Sequence, residues 1–571
     1  MRGLRSVLGT AVMALCAIGA VPAGAQPADA QRVTVLTASR IDTMDVAVPR
    51  AEAMAFDAGG RILALGDRDA LLQRYPGAAR IDAGPATVIP GLIDAHGHML
   101  GLGMTHLTAD LVGTASKDEV VRRLREFARE LPPGAWLVGR GWDQNDWPQH
   151  DFPTAADLDA AFPDRPVWLE RIDGHAGWAN SAAMRAVKRD LAGSARDGGW
   201  QPDGGRIVRD AQGKPTGVFV DAAMALVDGV VPAGDPALVE RELKLAMQDA
   251  VAHGLTGVHD AGVSLATMRA YQGLADRGEM PMRITAMADG DSRALAWLCD
   301  DGLYQHPSRR LKMRTVKLYI DGALGSRGAA LLQEYSDDHG NLGLLMMRPE
   351  QMDAAAARAK ACGVQVATHA IGDRGNRVVL DAYEKVLGAD ATASDHRWRV
   401  EHAQVLSPAD LPRLARMHVI ASMQPTHATS DMPWAEQRLG PQRIVGAYAW
   451  RQLRDSGARL ALGSDFPVES VDPRLGLFAA VTRTDAEGMP AGGWHPEETL
   501  TAYEALRGFT LDAAYAGFAE DEVGSLVPGK RADFVLLAED PLAVPAAQLR
   551  DLTVLATYVD GQPVFQALRS N

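Results

Sequence analysis

Pro90-Gly91-Leu92-Ile93-Asp94-Ala95-His96-Gly97-His98 is the stretch from which the fold can be read. It opens as a short apolar run and closes on two histidines separated by one glycine. Residues two apart in a strand project to the same side, so His96 and His98 leave one strand end together. Imidazole nitrogens bind zinc-class ions at ~2.0–2.1 Å, and Gly97 leaves room between the rings, so the pair reads as a chelate. Working outward, the run Val88–Ala95 is the first of eight. The others are Leu255–His259, Arg283–Ala288, Thr315–Ile320, Val364–Thr368, Trp398–Glu401, Val419–Met423 and Arg459–Gly463. Helical patterns stand between them, among them Asp235–His253, Glu350–Cys362, Asn376–Leu387, Pro408–Met417 and Tyr448–Ser456. Strand–helix alternation repeated eight times predicts an α/β chain folded as a (β/α)8 TIM-like barrel.

The barrel is expected over residues 89–515. On either side, 26–88 and 516–571 carry short β-branched runs and turn signals, such as Asp57-Ala58-Gly59-Gly60 and Asp560-Gly561-Gln562-Pro563. Two such fragments at opposite ends of a chain predict one small β-sandwich domain built from both termini. Between the first two barrel strands the chain makes an excursion over about 104–232. A segment of that length has structure of its own, and we read it as an insertion capping the barrel mouth. It holds Trp136, Trp142, Trp147, Trp168, Trp178 and Trp200, which suggest a substrate with an apolar or aromatic part.

Residues 1–25 combine Arg2 and Arg5, an apolar run from Val7 to Val21, and Ala23-Gly24-Ala25. This is the pattern of a signal peptide cut after Ala25, and predicts an exported, periplasmic protein with no membrane attachment after cleavage. Cys16 leaves with that leader, and Cys299 and Cys362 are too few for a disulfide framework. A net charge of −14 argues against nucleic acid as a partner, because phosphate binding needs clustered Lys and Arg. A small-molecule substrate is the expected partner, with a homodimer as an open expectation.

His369, His402 and Asp465 each follow one of the eight runs, at the carboxyl end where barrel enzymes place their chemistry. With His96 and His98 they make four histidines and a carboxylate at one face. Lys317 lies inside Thr315–Ile320, a strand that should be buried. An unpaired buried ammonium is costly and lowers its pKa. A neutral amine can take up carbon dioxide as a carbamate that bridges two metals, or the lysine can pair with Asp321. Both readings stay open at this point. Asp373-Arg374 reads either as a brace for His369 or as a loop ion pair, and His259 as a packed residue.

The order His96-x-His98, Lys317, His369, His402, Asp465 resembles the metal-dependent amidohydrolase superfamily. Gly139–Asp143, Asp173–Ser181 and Lys317–Arg327 narrow the likeness to amidohydrolase family 3, the branch that includes N-substituted formamide deformylases. The resemblance implies a hydrolase of non-peptide carbon–nitrogen bonds, acting on an amide or N-substituted formamide through metal-activated hydroxide. It implies His96, His98 and Asp465 on one divalent ion, zinc above all, and His369 and His402 on a second. Carboxylated Lys317 would bridge the two, and Asp465 would be the catalytic base and then acid. A mononuclear deaminase of a cyclic amidine, with one ion and unmodified Lys317, is the alternative; an inactive periplasmic binding protein is a third. Trp142, Asp143, His175, Asp321 and Arg327 are expected substrate contacts, or else parts of the insertion's own core.

Overall fold

In the computed structural model, residues 32–567 are described apart from 130, 133, 192–199, 233–235 and 291. The expected leader over 1–25 lies outside the described residues. Eight parallel strands form the barrel: β1 (Leu92–Gly97), β2 (Leu255–Val263), β3 (Arg283–Asp289), β4 (Leu311–Tyr319), β5 (Gln365–Ala370), β6 (Arg399–His402), β7 (Ile420–Met423) and β8 (Leu460–Leu462). They neighbour one another in chain order. Alternate residues face in and out: Thr315, Lys317 and Tyr319 of β4 point to the barrel interior, while Val316 and Leu318 join the apolar layer under the helices.

Local signals start the helices. Ser264 accepts the Thr267 N–H at the head of helix Leu265–Asp276, and Pro349 opens helix Pro349–Ala361, where no N–H is needed. No described helix is long and apolar enough to cross a membrane.

The seam between β8 and β1 closes without a regular ladder. Asp94 accepts from the Ser464 N–H and hydroxyl and from the His96 N–H, and the Asp465 N–H donates to the His96 carbonyl at 2.7 Å. Gly463 makes this approach possible: a Cβ there would lie 2.4 Å from Asp94 Oδ1 and 2.6 Å from the His96 nitrogen.

The run read as one strand, Val88–Ala95, divides at Gly91. Thr87–Pro90 belongs to the terminal domain, pairing with Phe534–Leu537, and β1 begins at Leu92. The cause is a change of hydrogen-bond partner: Gly91 N–H donates to Asp533, Leu92 N–H to Gly254. In the terminal domain, strands from both ends of the chain share one eight-stranded sheet. Leu36, Met54, Phe56, Phe534 and Tyr558 cover one face, and Val35, Ala53, Ala55 and Leu71 the other. The insertion has its own six-stranded sheet, from Gly205–Arg209 at one edge to Ala109–Asp110 at the other.

Cys299 and Cys362 are bonded to each other across 63 residues. They form no framework, but the single bond ties the helix after β3 to the end of the helix before β5. The double substitution Cys299→Ser with Cys362→Ser is therefore expected to lower unfolding free energy by about 2–4 kcal/mol. Urea midpoints compared with and without reductant test this; identical midpoints for the two proteins in oxidising buffer would refute it.

Candidate metal centre

Four of the eight strands deliver side chains to one point at the carboxyl end of the barrel. Ring centroids run in a row: His98 to His96 at 5.4 Å, His96 to His402 at 4.9 Å, and His402 to His369 at 4.6 Å. Asp465 enters from the turn after β8, with Oδ1 3.0 Å from His98 Nε2 and 3.5 Å from His96 Nε2. Both His402 (φ 71°) and Asp465 (φ 63°) occupy the left-handed region, a cost that tertiary packing must hold in place.

The outer nitrogen of each ring decides what the inner nitrogen can do. His96 Nδ1 meets the Glu401 carboxylate at 2.6 Å, His98 Nδ1 the Ala261 carbonyl at 3.0 Å, and His402 Nδ1 the Gln424 side-chain oxygen at 2.9 Å. All three partners accept, so each ring in its neutral form carries its proton on Nδ1 and turns a lone pair inward through Nε2. Burial first, then the charge on Lys317, lowers His96 to about 4. Burial and neighbouring cationic groups likewise push His369 and His402 well below the ordinary imidazole range. For Asp465 burial works the other way, yet the surrounding histidines, His98 foremost, hold the carboxyl well below its ordinary range, which calls for positive charge at this point that neutral rings do not supply. Lone pairs facing a carboxylate oxygen at 3.0–3.5 Å repel unless a cation lies between them. His369 Nε2 and His427 Nε2 are buried with no hydrogen-bond partner at all. These residues fit a divalent metal.

Donor atoms of His96, His98 and Asp465 lie within 4.8 Å of one another, and so do those of His402, His427 and Asp465. Sequence reasoning missed His427. It sits four residues beyond β7, in the first turn of helix Pro425–Asp431, with its ring stacked on His402 at 5.7 Å. Reasoning that looked only at strand ends could not find it. Glu401 and Arg399 were also missed as site residues. Both lie on β6 facing the barrel interior, and Arg399 grips Glu401 through two nitrogens at 2.6 and 2.9 Å. Burial alone would raise the Glu401 pKa; the Arg399 charge, then His96, holds it well below the usual carboxylate range. The visible signal was an Arg-x-Glu alternation in a strand that must be buried.

Lys317 is buried, with Nζ 3.1 Å from His96 Nε2, and burial lowers its ammonium to about 8. It does not pair with Asp321. The Asp321 carboxylate instead accepts the backbone N–H groups of Ala330, Ile371 and Gly372, tying the loop after β4 to the end of β5.

The centre opens into a cavity of about 1340 Å3 roofed by the insertion. His175 and Asp143 line it, as expected. Three other expected contacts do not. Trp142 is fully buried in the insertion's core against Trp147 and Trp178, its indole N–H donating to Leu169. Asp321 is enclosed in the backbone cradle just described, and Arg327 pairs with Asp337 away from the cavity. The apolar wall is made instead by Leu100, Met104, Val112, Met224, Met346 and Trp434. Asp373 braces no ligand; it accepts the Leu332 N–H. His259 is packed, with Nδ1 2.9 Å from an Arg399 nitrogen.

A sequence profile of the amidohydrolase family matches residues 79–565. The chain is 36% identical over 514 residues to the putative amidohydrolase YtcJ of Bacillus subtilis (strain 168), spanning 89% of this chain and 94% of the relative. To the N-substituted formamide deformylase of Arthrobacter pascens it is 31% identical over 522 residues, spanning 88% and 93%. Among solved structures, an uncharacterized metal-dependent hydrolase from Pyrococcus horikoshii OT3 shares the fold with a TM-score of 0.73 and 27% identity, over 90% of this chain and 99% of that one.

The Glu401–His96 bond sets the tautomer of a ligand, so Glu401→Gln should weaken metal binding by roughly 10–100-fold. Competition with a chromogenic chelator for zinc measures it; an unchanged affinity would refute the role given to Glu401.

Proposed function

Because the chain belongs to the amidohydrolase family, whose members are metal-dependent hydrolases of carbon–nitrogen bonds, we propose that it is an exported enzyme that cleaves an N-substituted amide, formamides foremost, using two divalent ions. The observation that carries this reading is the convergence of inward-facing lone pairs on an ionised, buried Asp465. The deformylase from Arthrobacter pascens supports the formamide as substrate class. The leader pattern in 1–25 and the Cys299–Cys362 bond, which belongs to oxidising compartments, support export to the periplasm.

His96, His98 and Asp465 would hold one ion and His369 and His402 the other, with Lys317, as its carbamate, between them. A bound divalent ion, zinc by preference, supplies water acidity near neutral pH and polarises a carbonyl oxygen. The chain's own residues do the rest. Asp465 takes a proton from the water whose oxygen bonds to the carbonyl carbon, and returns it to the nitrogen as the carbon–nitrogen bond breaks. The products are a carboxylic acid, formic acid for a formamide, and an amine. Met104, Val112 and Trp434 offer the apolar part of the amine a wall at the cavity mouth.

Elemental mass spectrometry on protein purified without chelator is expected to give two equivalents per chain, and Lys317→Ala close to one. One equivalent in the unaltered protein would overturn the bridged centre and bring cyclic amidines forward as substrates. Asp465→Asn should lose at least roughly 1,000-fold in kcat on a panel of N-alkyl and N-aryl formamides, combining base and acid roles worth roughly 100–10,000-fold each. Near-normal turnover in that variant would remove Asp465 from the chemistry.

A further inference from the structure

Asp173-Gly174-His175 is a turn of the insertion that comes down onto the metal centre. The His175 ring is 5.1 Å from that of His369, extending the row of imidazoles at the end opposite His98 and Asp465. His175 lines the cavity and coordinates nothing in the ligand set proposed above. Its Nδ1 lies 2.8 Å from Asp221 Oδ1, and the Asp221 N–H donates to the His175 carbonyl at 3.0 Å. The pair is thus bound reciprocally, through backbone and side chain. Asp221 itself has a side chain with no exposure, a φ of 51°, and an Oδ2 without a partner.

The surroundings are built for that carboxylate. The loop after β4 carries Gly322-Ala323-Leu324-Gly325-Ser326-Arg327-Gly328, whose glycines serve neither a phosphate nor a nucleophile. A Cβ at Gly322 would stand 2.6 Å from both Asp221 oxygens, and one at Gly328 2.7 Å from Oδ2. Only hydrogen at these positions admits the carboxylate. Arg171 fixes the turn from the other side: it is buried, reaches Asp143 and Asp173 at 2.5 Å each, and Asp173 accepts the His175 N–H. Nδ1 backing by itself would leave a lone pair on Nε2, as it does at His96, but there Arg399 already balances Glu401; Asp221 is enclosed with His175 as its charged partner, so a second proton on this ring compensates the buried carboxylate and makes Nε2 a donor.

We propose that His175 contacts the oxygen of the scissile carbonyl from the side opposite Asp465, and that Asp221, seated in the glycine socket of the loop after β4, is the positioning residue that aims it. The proposal rests on the hydrolase reading above and deepens it, giving the oxygen that gains charge a donor from the protein.

The test compares the full-length metal-loaded enzyme with His175→Gln, Asp221→Asn and the double variant. Metal content and melting temperature of His175→Gln should match the unaltered protein, since the side chain lines an open cavity. Its kcat on the formamide panel should fall by roughly 100–1,000-fold with a smaller change in KM. Asp221→Asn should lose roughly 10–100-fold, and the double variant should be no slower than His175→Gln alone. Imidazole added to His175→Ala should restore part of the lost rate. Full turnover by His175→Gln, or losses that multiply in the double variant, would overturn the proposal. A second readout needs no turnover: acetate, which offers an oxygen in place of the carbonyl, is titrated calorimetrically into each metal-loaded protein. A dissociation constant raised at least tenfold in His175→Gln supports the contact, and an unchanged one overturns it. If the unaltered enzyme cleaves no amide but acetate binding still depends on His175, the substrate assignment has failed and the oxygen contact stands.

Discussion

Everything at this site depends on the closure of the barrel between β8 and β1. Histidines on β1, β5 and β6 can meet Asp465 only if the last strand returns to the first. The return is made by one carboxylate and two backbone bonds, Asp465 N–H to the His96 carbonyl and His98 N–H to the Phe466 carbonyl, rather than by a regular ladder. Asp94 takes the Ser464 N–H, the Ser464 hydroxyl and the His96 N–H. The same contacts therefore close the fold and set the spacing between His96, on one side of the seam, and Asp465, on the other. The absence of a side chain at Gly463 is what lets the two strand ends come that close. Fold and ligand geometry are here a single constraint.

Below the histidines, the barrel interior carries charge beside a small apolar cluster of Ala261, Met287 and Ala367. Arg399, Glu401 and His259 occupy a space that most barrels fill with branched aliphatic side chains. Burying an ion pair is weakly favourable at best, while removing one partner leaves an uncompensated charge worth about 3–5 kcal/mol. Each charge here has several partners: Arg399 reaches Glu401, the Ala95 carbonyl, Ser422 and His259. The network adds little stability on balance, but it fixes the His96 tautomer, and that fixes which nitrogen faces the centre.

This division between fold and site explains what the sequence disclosed. The eight barrel strands could be found because each is buried and reads as a short, largely apolar run between helical patterns, and the four histidines and the aspartate that converge could be found because they end such runs. The break at Gly91 was invisible, since a change of hydrogen-bond partner between two sheets leaves no mark on an apolar pattern. His427 was invisible for a different reason: it lies on a helical turn whose position depends on where β7 stops, which is set by tertiary contacts. Trp142, Asp321 and Arg327 were drawn into the site by their neighbours in dense motifs. Those motifs are dense because they carry packing as well as chemistry: Trp142 builds the insertion's core, Asp321 ties two barrel loops together, and Arg327 pairs with Asp337.

The insertion is accordingly part of the active site's framework and more than a cover. Its turn Asp173-Gly174-His175 is held by Arg171 from within the insertion, and Asp221 is held by Gly322 and Gly328 from the barrel. A segment whose polar residues are enclosed by the opposing body cannot lift away without exposing a buried carboxylate and breaking its one hydrogen bond. Substrate must therefore enter past the exposed edge formed by Met104 and Val112, which are partly open to solvent, and not by wholesale displacement of the insertion. An entrance of apolar side chains above a polar floor sorts an amphipathic ligand end to end, its polar end toward the histidines and its apolar end near the rim.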